Sequence, residues 1–598
     1  MREYTSPVPL DVPPDADLTD IVFEVAGQTP DFVLFLRPAP SGSGWEEVSA
    51  RQFLSEVLHA AKGLVACGVA PGDRVGLMSK TRYEWALLDF AVWCAGAVSV
   101  PLYETSSPAQ VQWALADSGA VAAVVETDEH AATLASVRES LPALRQVWTL
   151  DRAGVQDLVD AGRAVPEDEI PARRAELGSS SVATVIYTSG TTGEPKGCEL
   201  THGNFLAEVR GAIAWVPEVF SARDPAALLF LPLAHVLARA VQLMCVAGRV
   251  RIAHTADARN LLPDLAEVRP TFLLVVPRVL EKVYNASEQR AQAGGKGRIF
   301  AAAAATSIAY SRALDSGRPG PMLRLRHALF DRLVYGKLRA ALGGRVGHAI
   351  SGGGPLGERL GHFYRGVGLS VLEGYGLTET TAASNVNTPR ATRIGTVGKP
   401  LPGNAVRIAD DGEVLLKGPV VFGGYAGNEA ATREAFTSDG WLRTGDLGNL
   451  DDEGFLRITG RSKEILVTAG GKNVAPAVLE DRLRAHPLIS QCMVVGDGRP
   501  YVAALVTLDE ETLPGWLAAR GRTVQPPADL VEDPDVLAAV QGAIDDANAR
   551  VSRAESIKRF RILPVDFTQE GGELTPTLKL KRRRVLDRFA DEVEALYS

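Results

Sequence analysis

Hydrophobic and polar positions along roughly the first 180 residues predict strands that alternate with helices. Apolar positions at helical spacing end at Cys67, and Trp85–Ala97 is apolar enough for a buried helix. Asp73–Met78 is predicted to be a short strand, and Val98–Val100 begins another. We expect Pro101 to end that strand or to hold it at a sheet edge, because proline cannot donate to a strand ladder. Such alternation favours parallel sheets covered by helices.

Further along, the pattern predicts a linker, a buried strand and one long apolar segment. Glu167–Ser181 is polar and is expected to link into the strand Val182–Ile186, whose residues are apolar and mostly β-branched. The longest apolar segment, Leu228–Gly248, contains a proline, a histidine and an arginine, which are costly in hydrocarbon. We therefore expect a buried strand and helix there instead of a membrane span.

After residue 400 the pattern changes to short antiparallel strands. Asp410–Gly412 separates two apolar runs as a hairpin turn does, and Asp452–Gly454 turns a second hairpin. Beyond Gly460 the expected elements are the helix Val478–Ala485 and the strands Gln491–Val495 and Val502–Thr507. The predicted fold is α/β: a large N-terminal domain with helix-covered sheets and a small β subdomain, plus a small mobile α+β C-terminal domain. The N-terminal domain spans residues 1–460, with the β subdomain at about 395–460, and the C-terminal domain spans 461–598.

Composition supports a globular protein with two or more domains. The chain has 598 residues, of which 46% are hydrophobic and 23% charged. A net charge of -9 argues against non-specific nucleic-acid binding. The five cysteines are scattered without metal-ligand spacing, and the N-terminus lacks an apolar signal segment. These features predict a cytoplasmic protein with buried thiols.

The chemistry-bearing segment is Tyr187–Gly197, which reads Tyr-Thr-Ser-Gly-Thr-Thr-Gly-Glu-Pro-Lys-Gly directly after a predicted strand. Glycines let the backbone approach a ligand closely, hydroxyls and N–H groups donate to phosphate oxygens, and the lysine adds charge. The spacing differs from a Walker A loop, which needs Gly-x-x-x-x-Gly-Lys-Ser/Thr. The segment resembles the phosphate loop of adenylate-forming enzymes, a family that includes acyl-CoA synthetases, aryl-CoA ligases and luciferases.

That resemblance extends from residue 187 to the C-terminus through four further segments. They are Ser351–Pro355, Gly374–Glu379, Thr444–Asp446 and Gly460–Lys463. The resemblance implies substrates ATP and coenzyme A and a Mg²⁺ ion held by Thr188 and Glu379. It implies that Tyr375 stacks near adenine between Gly353 and Gly354, and that Asp446 and Arg461 hold the ribose. The other implied nucleotide-site residues are Ser189, Gly190, Thr191, Thr192, Gly193, Lys196, Gly374, Gly376 and Thr378.

The C-terminal stretch Glu573–Arg583 would read by composition as a basic, solvated segment. Long-chain acyl-CoA synthetases carry Leu-Thr-Pro-Thr-x-Lys here, and the resemblance implies that its lysine, Lys579, enters the active site for adenylation. Lys581 is the alternative lysine. The resemblance also implies a hinge at Lys463.

Two more segments have roles that come from the resemblance. The loop containing Gly470, Gly471 and Lys472 is implied to lie along the pantetheine of coenzyme A. A lone histidine in an apolar run is more often a core residue, but the family places His235 beside the substrate carboxylate. Arg239 is a weaker candidate for the same place.

Several segments resemble the bacterial, actinobacterial-type long-chain fatty acyl-CoA synthetases over the whole chain. One is Phe330–Arg339, where Phe330, Val334 and Leu338 recur every four residues with Leu333 beside them. The ordinary interpretation is a surface helix covering the core, and the alternative is peripheral contact with an anionic membrane. The chain is identified as a long-chain fatty acid–CoA ligase. The alternatives are an acyl-AMP ligase that loads a carrier protein, disfavoured because no insertion follows Arg461, and an inactive lipid-binding protein.

Overall fold

The computed structural model describes residues 1–39, 44–188, 194–257, 259–575 and 578–598. Seven strands of the described chain form a first sheet. In spatial order they are Gly424–Tyr425, Lys196–Thr201, Val182–Thr188, Val98–Leu102, Arg74–Met78, Ala122–Val125 and Gln146–Thr149. The five strands from Val182–Thr188 onward pair in parallel, as the alternation of strands and helices predicts.

Nine strands, counted over the same described ranges, form a second sheet. In spatial order they are Lys399–Pro400, Asn385–Val386, Ser370–Tyr375, His348–Ser351, Phe272–Val275, Ala226–Leu229, Arg251–His254, Val33–Pro38 and Trp45–Ser49. Its central strands are also parallel, and antiparallel strands are added at both edges.

The largest hydrophobic core lies among four helices, Ala50–Ala66, Tyr83–Cys94, His202–Trp215 and Val236–Ala247, and strands of both sheets. Every residue of Tyr83–Cys94 except Glu84 is buried. The other helices up to residue 293 are Thr19–Gln28, Pro108–Asp117, Asp128–Ala135, Gly154–Ala161, Glu169–Arg174, Pro217–Phe220, Leu261–Val268 and Pro277–Ala293. Those between residues 297 and 435 are Gly297–Asp315, Pro321–Phe330, Gly336–Ala341, Glu358–Val367 and Glu429–Ala435.

A third, antiparallel sheet corresponds to the predicted β subdomain. Its described strands are Glu3–Thr5, Ala405–Ile408, Glu413–Lys417, Leu442–Leu450 and Leu456–Arg461. Both predicted hairpins are present. The sequence pattern did not predict that Glu3–Thr5 completes this sheet by pairing with Ala405–Ile408.

The C-terminal part contains its own sheet and core. The strands Ile489–Val495, Val502–Leu508 and Ile557–Leu563 form one sheet, and Leu466–Val467 pairs with Asn473–Val474. The helices are Pro476–Arg484, Leu513–Ala518, Pro534–Asn548, Arg582–Arg588 and Ala590–Tyr597. Two hydrophobic clusters there are built from residues after 465 alone.

Three predictions of local structure were wrong. The strand Val98–Leu102 continues through Pro101 and lies inside the sheet. It pairs with Val182–Thr188 at Ser99, so Pro101 lies beyond that pairing and its missing N–H costs no ladder bond there. Glu167–Ser181 contains the helix Glu169–Arg174, whose Ile170 is buried. Leu333 is 49% exposed and so does not lie with the core-facing residues of its helix.

Other predictions of local structure agree with the structure. Leu228–Gly248 covers the end of the strand Ala226–Leu229 and the whole helix Val236–Ala247, both largely buried. Over the described residues, no helix has the length and apolarity needed to cross a membrane. Cys94, Cys198, Cys245 and Cys492 are buried thiols, and Cys67 is half-buried.

Candidate active site

The candidate site lies where strands of both large sheets end. Val182–Thr188 ends at the predicted phosphate loop, and Ser370–Tyr375 ends at the predicted adenine-binding segment. Ligand sites of open α/β sheets gather at the carboxyl ends of strands. The predicted loop residues Ser189, Gly190, Thr191, Thr192 and Gly193 lie outside the described residues.

Both flanks of the phosphate loop are held in place. Thr188 and Lys196 are register partners across the antiparallel strand pair that the loop connects. The indole Nε1 of Trp113 donates a 2.9 Å hydrogen bond to the carbonyl of Pro195. This contact anchors the C-terminal end of the loop to the helix Pro108–Asp117.

Glu379 is held by its backbone and by a tyrosine hydroxyl. It lies in the short 3₁₀ turn Thr378–Thr380, and its carbonyl accepts a 2.9 Å bond from the Phe422 N–H. The Tyr425 hydroxyl donates to Glu379 Oε1 at 2.9 Å. Burial, and then the charge of Glu379, raises the pKa of Tyr425, so the hydroxyl is a neutral donor.

Tyr425 also contacts the phosphate-loop lysine. The Lys196 Nζ lies 5.1 Å from the centroid of the Tyr425 ring, within range of a cation–π interaction. Tyr425 was not among the predicted site residues. The signal available was an aromatic residue among Gly423, Gly424 and Gly427, a place where the backbone is often in close contact with another segment.

Thr188 and Glu379 form a suitable pair of ligands for Mg²⁺. Cys198 lies two residues after Lys196, the register partner of Thr188, and near both Thr188 and Glu379. Burial, and then the Glu379 charge, raises the pKa of Cys198 well above its ordinary value. A hydroxyl and a carboxylate therefore face one small volume. Mg²⁺ prefers oxygen ligands and completes its shell with phosphate oxygens and water. The donor set therefore fits this ion.

Gly376 is required by a close backbone approach. A Cβ at this position would lie 1.7 Å from the carbonyl oxygen of Ala382. Thr381 and Ala382 have φ of 55° and 102°, which is uncommon for residues with side chains. The turn after Glu379 is therefore tightly constrained, which fixes the position of that carboxylate. Gly374 is less restrictive, since a Cβ there would lie 3.3 Å from its nearest neighbours.

Asp446 joins the second and third sheets at the site. Its Oδ2 accepts a 2.7 Å bond from the Tyr375 hydroxyl, and its Oδ1 accepts a 2.9 Å bond from Arg461 Nε. Asp446 is 4% exposed, and burial, then the Asp446 charge, raises the pKa of Tyr375 well above its ordinary value. The predicted adenine and ribose residues are thus one hydrogen-bonded group.

Lys579 extends from the C-terminal part into this group. A Cβ at Gly353 would lie 3.8 Å from the Lys579 Cε. Burial, and then the nearby charge of Arg461, lowers the pKa of Lys579, while Asp446 and Glu379 oppose the shift. The residue as a whole is exposed, so solvent screening moderates this shift. The lysine therefore stands among the predicted nucleotide and metal residues.

The backbone before Lys579 is strained. Leu578 has φ of 61°, in the left-handed region that residues with side chains rarely adopt. The Thr575 N–H donates a 2.8 Å hydrogen bond to the Lys579 carbonyl, and the Lys579 N–H donates a 3.0 Å hydrogen bond to Thr575 Oγ1. The alternative, Lys581, has its pKa lowered by burial and by Arg584, with no contribution from the site residues.

His235 faces the same lysine and is neutral. Its Nδ1 accepts a 3.2 Å bond from the Leu237 N–H, which caps the helix Val236–Ala247. Burial, and then the charge of Lys579, lowers the pKa of His235 to about 3. With Nδ1 an acceptor, the ring proton is on Nε2, which is a donor. His235 thus suits a hydrogen bond to an anion and does not suit proton abstraction.

Arg239 is a core residue and does not line this group. It is fully buried in an ion pair with Asp89 and donates to Thr184 Oγ1 at 2.7 Å and to Ser99 Oγ. Its guanidinium lies 5.1 Å from the centroid of Trp93. The weaker candidacy of Arg239 for the substrate position is therefore not supported.

Two glycines of Ser351–Pro355 differ in whether a side chain could replace their hydrogen. Gly353 has φ of 82°, whereas a Cβ at Gly354 would meet nothing within 4 Å. An alanine at Gly354 would therefore be accommodated.

The loop predicted to bind pantetheine lies elsewhere. Gly471 donates to the Thr468 carbonyl at 2.8 Å, and Lys472 Nζ lies 3.3 Å from Glu555 Oε1. Among the described residues, no hydrogen bond or ion pair connects Gly470, Gly471 or Lys472 with Lys579 or Asp446. Lys463 is exposed in the 3₁₀ turn Ser462–Glu464 that follows Arg461.

Ion pairs, one set buried and one exposed, connect the C-terminal part with the N-terminal part. Arg278, at the start of the helix Pro277–Ala293, lies 3.4 Å from Asp509 and 3.3 Å from Glu281, and all three side chains are about 10% exposed. Lys282, one turn on, lies 2.8 Å from Glu511. These contacts were not predicted, because no local sequence pattern relates the two segments.

Comparison with known families and proteins agrees with these features. The AMP-binding enzyme family matches residues 22–426, and the AMP-binding enzyme C-terminal domain matches residues 463–598. The long-chain-fatty-acid–CoA ligase FadD15 of Mycobacterium bovis is 53% identical over 602 residues, with 100% of each chain covered. The peroxisomal long chain acyl-CoA synthetase 7 of Arabidopsis thaliana is 34% identical, with 91% of this chain and 80% of that protein covered.

Solved structures share the fold. The anthranilate CoA ligase AuaEII in complex with anthranoyl-AMP has a TM-score of 0.71 at 20% identity, covering 98% of this chain and 99% of that chain. A Mycobacterium tuberculosis fatty acyl CoA synthetase has a TM-score of 0.62 at 22% identity, covering 96% and 99%. At these identities the likeness concerns architecture alone.

Proposed function

This chain belongs to the AMP-binding enzyme family, and from that premise we propose that it is a long-chain fatty acid–CoA ligase. The reaction activates a fatty acid with ATP to an acyl-adenylate, releases pyrophosphate, and transfers the acyl group to coenzyme A. The name of a relative 53% identical over its whole length supports the acid and the thiol. The observation that carries the proposal is the position of Lys579 among Asp446, Arg461 and Glu379.

A fatty carboxylate is already ionised at neutral pH, so the first step needs no general base. It needs the carboxylate in line with the α-phosphorus and compensation of the charge that develops as pyrophosphate leaves. The Nε2–H of His235 would hold the carboxylate, and the ammonium of Lys579 would stabilise the developing charge. A bound anionic substrate would favour the protonated form of Lys579. It would thereby offset burial and the Arg461 charge, which both lower the pKa of this lysine.

Asp446 and Arg461 would bind the ribose, with Tyr375 fixing the aspartate and facing the adenine. Thr188 and Glu379 would hold Mg²⁺, which neutralises charge on the phosphates when bound. Lys196 would contact the phosphates from the end of its loop, and Gly353, Gly374, Gly376 and Thr378 would shape the wall of the nucleotide pocket.

The second step needs a different arrangement. We propose that residues 461–598 turn about Lys463, withdrawing Lys579 and bringing Gly470–Lys472 to the pantetheine arm. Support comes from the opposite placements of the two segments: Lys579 stands in the cleft, whereas Gly471 and Lys472 bond within the C-terminal part. Small-domain motion of this kind gates many enzymes.

We also propose that the enzyme works in the cytoplasm, where ATP and coenzyme A are available, and meets fatty acids at the inner membrane surface. The test is pyrophosphate release across acids from acetate to long fatty acids, with and without coenzyme A, reading AMP and thioester. Long-acid-dependent AMP and acyl-CoA are expected. Acyl-adenylate that persists despite coenzyme A would indicate a ligase for a carrier protein. No turnover with any acid would refute the proposal.

A further inference from the structure

An exposed apolar stripe runs along the helical segment 321–335. Its members are Met322, Leu325, Leu329 and Leu333, with exposed fractions of 69%, 67%, 55% and 49%. They are spaced by three, four and four residues, so they lie on one face of the segment. Four large side chains exposed together on one helix face are uncommon on a globular protein, where such patches often mark interaction sites.

The opposite face fixes this segment to the core. Phe330, Val334 and Leu338 pack against the second hydrophobic cluster, and the buried Tyr335 hydroxyl donates to the Ala303 carbonyl at 2.7 Å. Arg339 adds a 2.6 Å bond to the carbonyl of Val367. The apolar stripe is therefore presented outward by a segment whose core-facing side is already filled.

The surroundings of the stripe are strongly basic. Residues 290–345 contain eleven Lys and Arg, two Asp and no Glu, although the whole chain has a net charge of -9. Both aspartates are neutralised, Asp315 by Arg365 and Asp331 by Arg339. Arg326 and Arg332 are exposed between stripe residues, and no carboxylate of the described chain pairs with either.

We propose that this stripe docks on the surface of an anionic lipid bilayer. Helices that lie on membranes carry apolar side chains on one face, flanked by basic residues. In such a contact the leucines would enter the boundary between lipid headgroups and acyl chains, and the arginines would contact lipid phosphates. Arginine stems can lie along the apolar surface while their guanidinium groups stay at the headgroups. A concentrated positive charge on a net-negative protein favours a bilayer over another copy of the same chain.

The inference goes beyond the ligase activity and names the surface that meets the membrane. Long fatty acids partition into bilayers, so docking would place the enzyme beside its substrate. Binding to vesicles can be measured without turnover. A failure of the ligase proposal and a failure of this one therefore give separate results.

The test is co-sedimentation of the full chain with vesicles of phosphatidylcholine, or of phosphatidylcholine mixed with phosphatidylglycerol. Binding to the anionic vesicles, weakened by salt, is expected. The double variant Leu325→Ser and Leu329→Ser, and the double variant Arg326→Gln and Arg332→Gln, should each bind at least about tenfold more weakly. Val524→Ser is the control, because Val524 is 64% exposed in another part of the chain.

Equal binding of the wild type and both double variants would overturn the proposal, as would no binding of the wild type to anionic vesicles. A wild-type dimer that the leucine variant converts to a monomer would also overturn it, by making the stripe a contact between copies. Turnover of the leucine variant should be unchanged with octanoate in solution and reduced with hexadecanoate supplied in anionic vesicles.

Discussion

The hydroxyl of Tyr425 donates a 2.9 Å hydrogen bond to the carboxylate of Glu379, and its ring lies 5.1 Å below the Lys196 ammonium. One side chain thus orients both a candidate Mg²⁺ ligand and the phosphate-loop lysine. Tyr425 is itself held by the pairing of Gly424–Tyr425 with the strand Lys196–Thr201.

Tyr425→Phe keeps the ring and removes the hydrogen bond to Glu379. A hydrogen bond to a charged group contributes about 1.5–3 kcal/mol, so acyl-adenylate formation should slow by roughly tenfold or more at limiting Mg²⁺. Excess Mg²⁺ should restore part of the rate, with little change in the KM for fatty acid. Tyr364→Phe is the matched control, since it removes a 2.6 Å bond to the Leu280 carbonyl in the core. An unchanged Mg²⁺ dependence in Tyr425→Phe would exclude this role.

Lys579→Ala should abolish acyl-adenylate formation, because it removes the ammonium group that stands among Asp446, Arg461 and Glu379. Thioester formation from supplied acyl-adenylate and coenzyme A should remain within a few-fold of the wild-type rate. Lys581→Ala is the control, since its neighbour is Arg584. If Lys581→Ala lost adenylation and Lys579→Ala kept it, the catalytic lysine would be Lys581.

Lys463→Pro should spare acyl-adenylate formation and slow thioester formation by at least about tenfold, because proline fixes φ at the proposed hinge. Single-turnover measurement of each half-reaction separates the two effects. The control is Lys463→Ala, which leaves the backbone at residue 463 free to rotate. Equal losses in both steps would mean that residue 463 is not the hinge.

Arg278→Gln should favour the arrangement needed for the second step. The change leaves Asp509 and Glu281 without their cation at a buried contact between the two parts of the chain. We expect a several-fold slower adenylation with no loss in thioester formation from supplied acyl-adenylate. Arg433→Gln, which removes an exposed pair with Glu429, should change neither rate. Parallel losses in both steps would indicate general destabilisation.

Glu373→Gln should stabilise the protein in a pH-dependent manner. Burial raises the pKa of Glu373 to about 7 from an ordinary 4.5, so ionising it costs the folded state stability as pH rises through this interval. Glutamine keeps an acceptor for the Leu356 N–H, which lies 3.2 Å away. Melting temperatures should differ little near pH 4.5, and the gain should reach up to roughly 3 kcal/mol above pH 7.

The exposed Glu434→Gln on the helix Glu429–Ala435 controls for the loss of one formal charge. A Glu373→Gln curve parallel to the wild type at every pH would contradict the shifted pKa. A stabilisation that grows toward acid pH would contradict its sign.

Local sequence determined much of the architecture. Strand and helix periods predicted the parallel sheets, both hairpins of the third sheet and the elements after Gly460, because those patterns reflect burial of one face. The ordered motifs identified the candidate residues. Packing overrode the pattern at Pro101, where a single register pair with the neighbouring strand leaves room for a residue without an N–H.

The sequence by itself determined the family, the phosphate loop and the set of polar side chains available for catalysis, since these depend on residue types at fixed local spacing. Tertiary structure alone decided that Tyr425 meets Glu379, that Arg278 meets Asp509 and that Leu333 faces outward. Contacts between segments distant along the chain, and the choice of which apolar face is covered, depend on how whole elements pack. No local spacing encodes that packing.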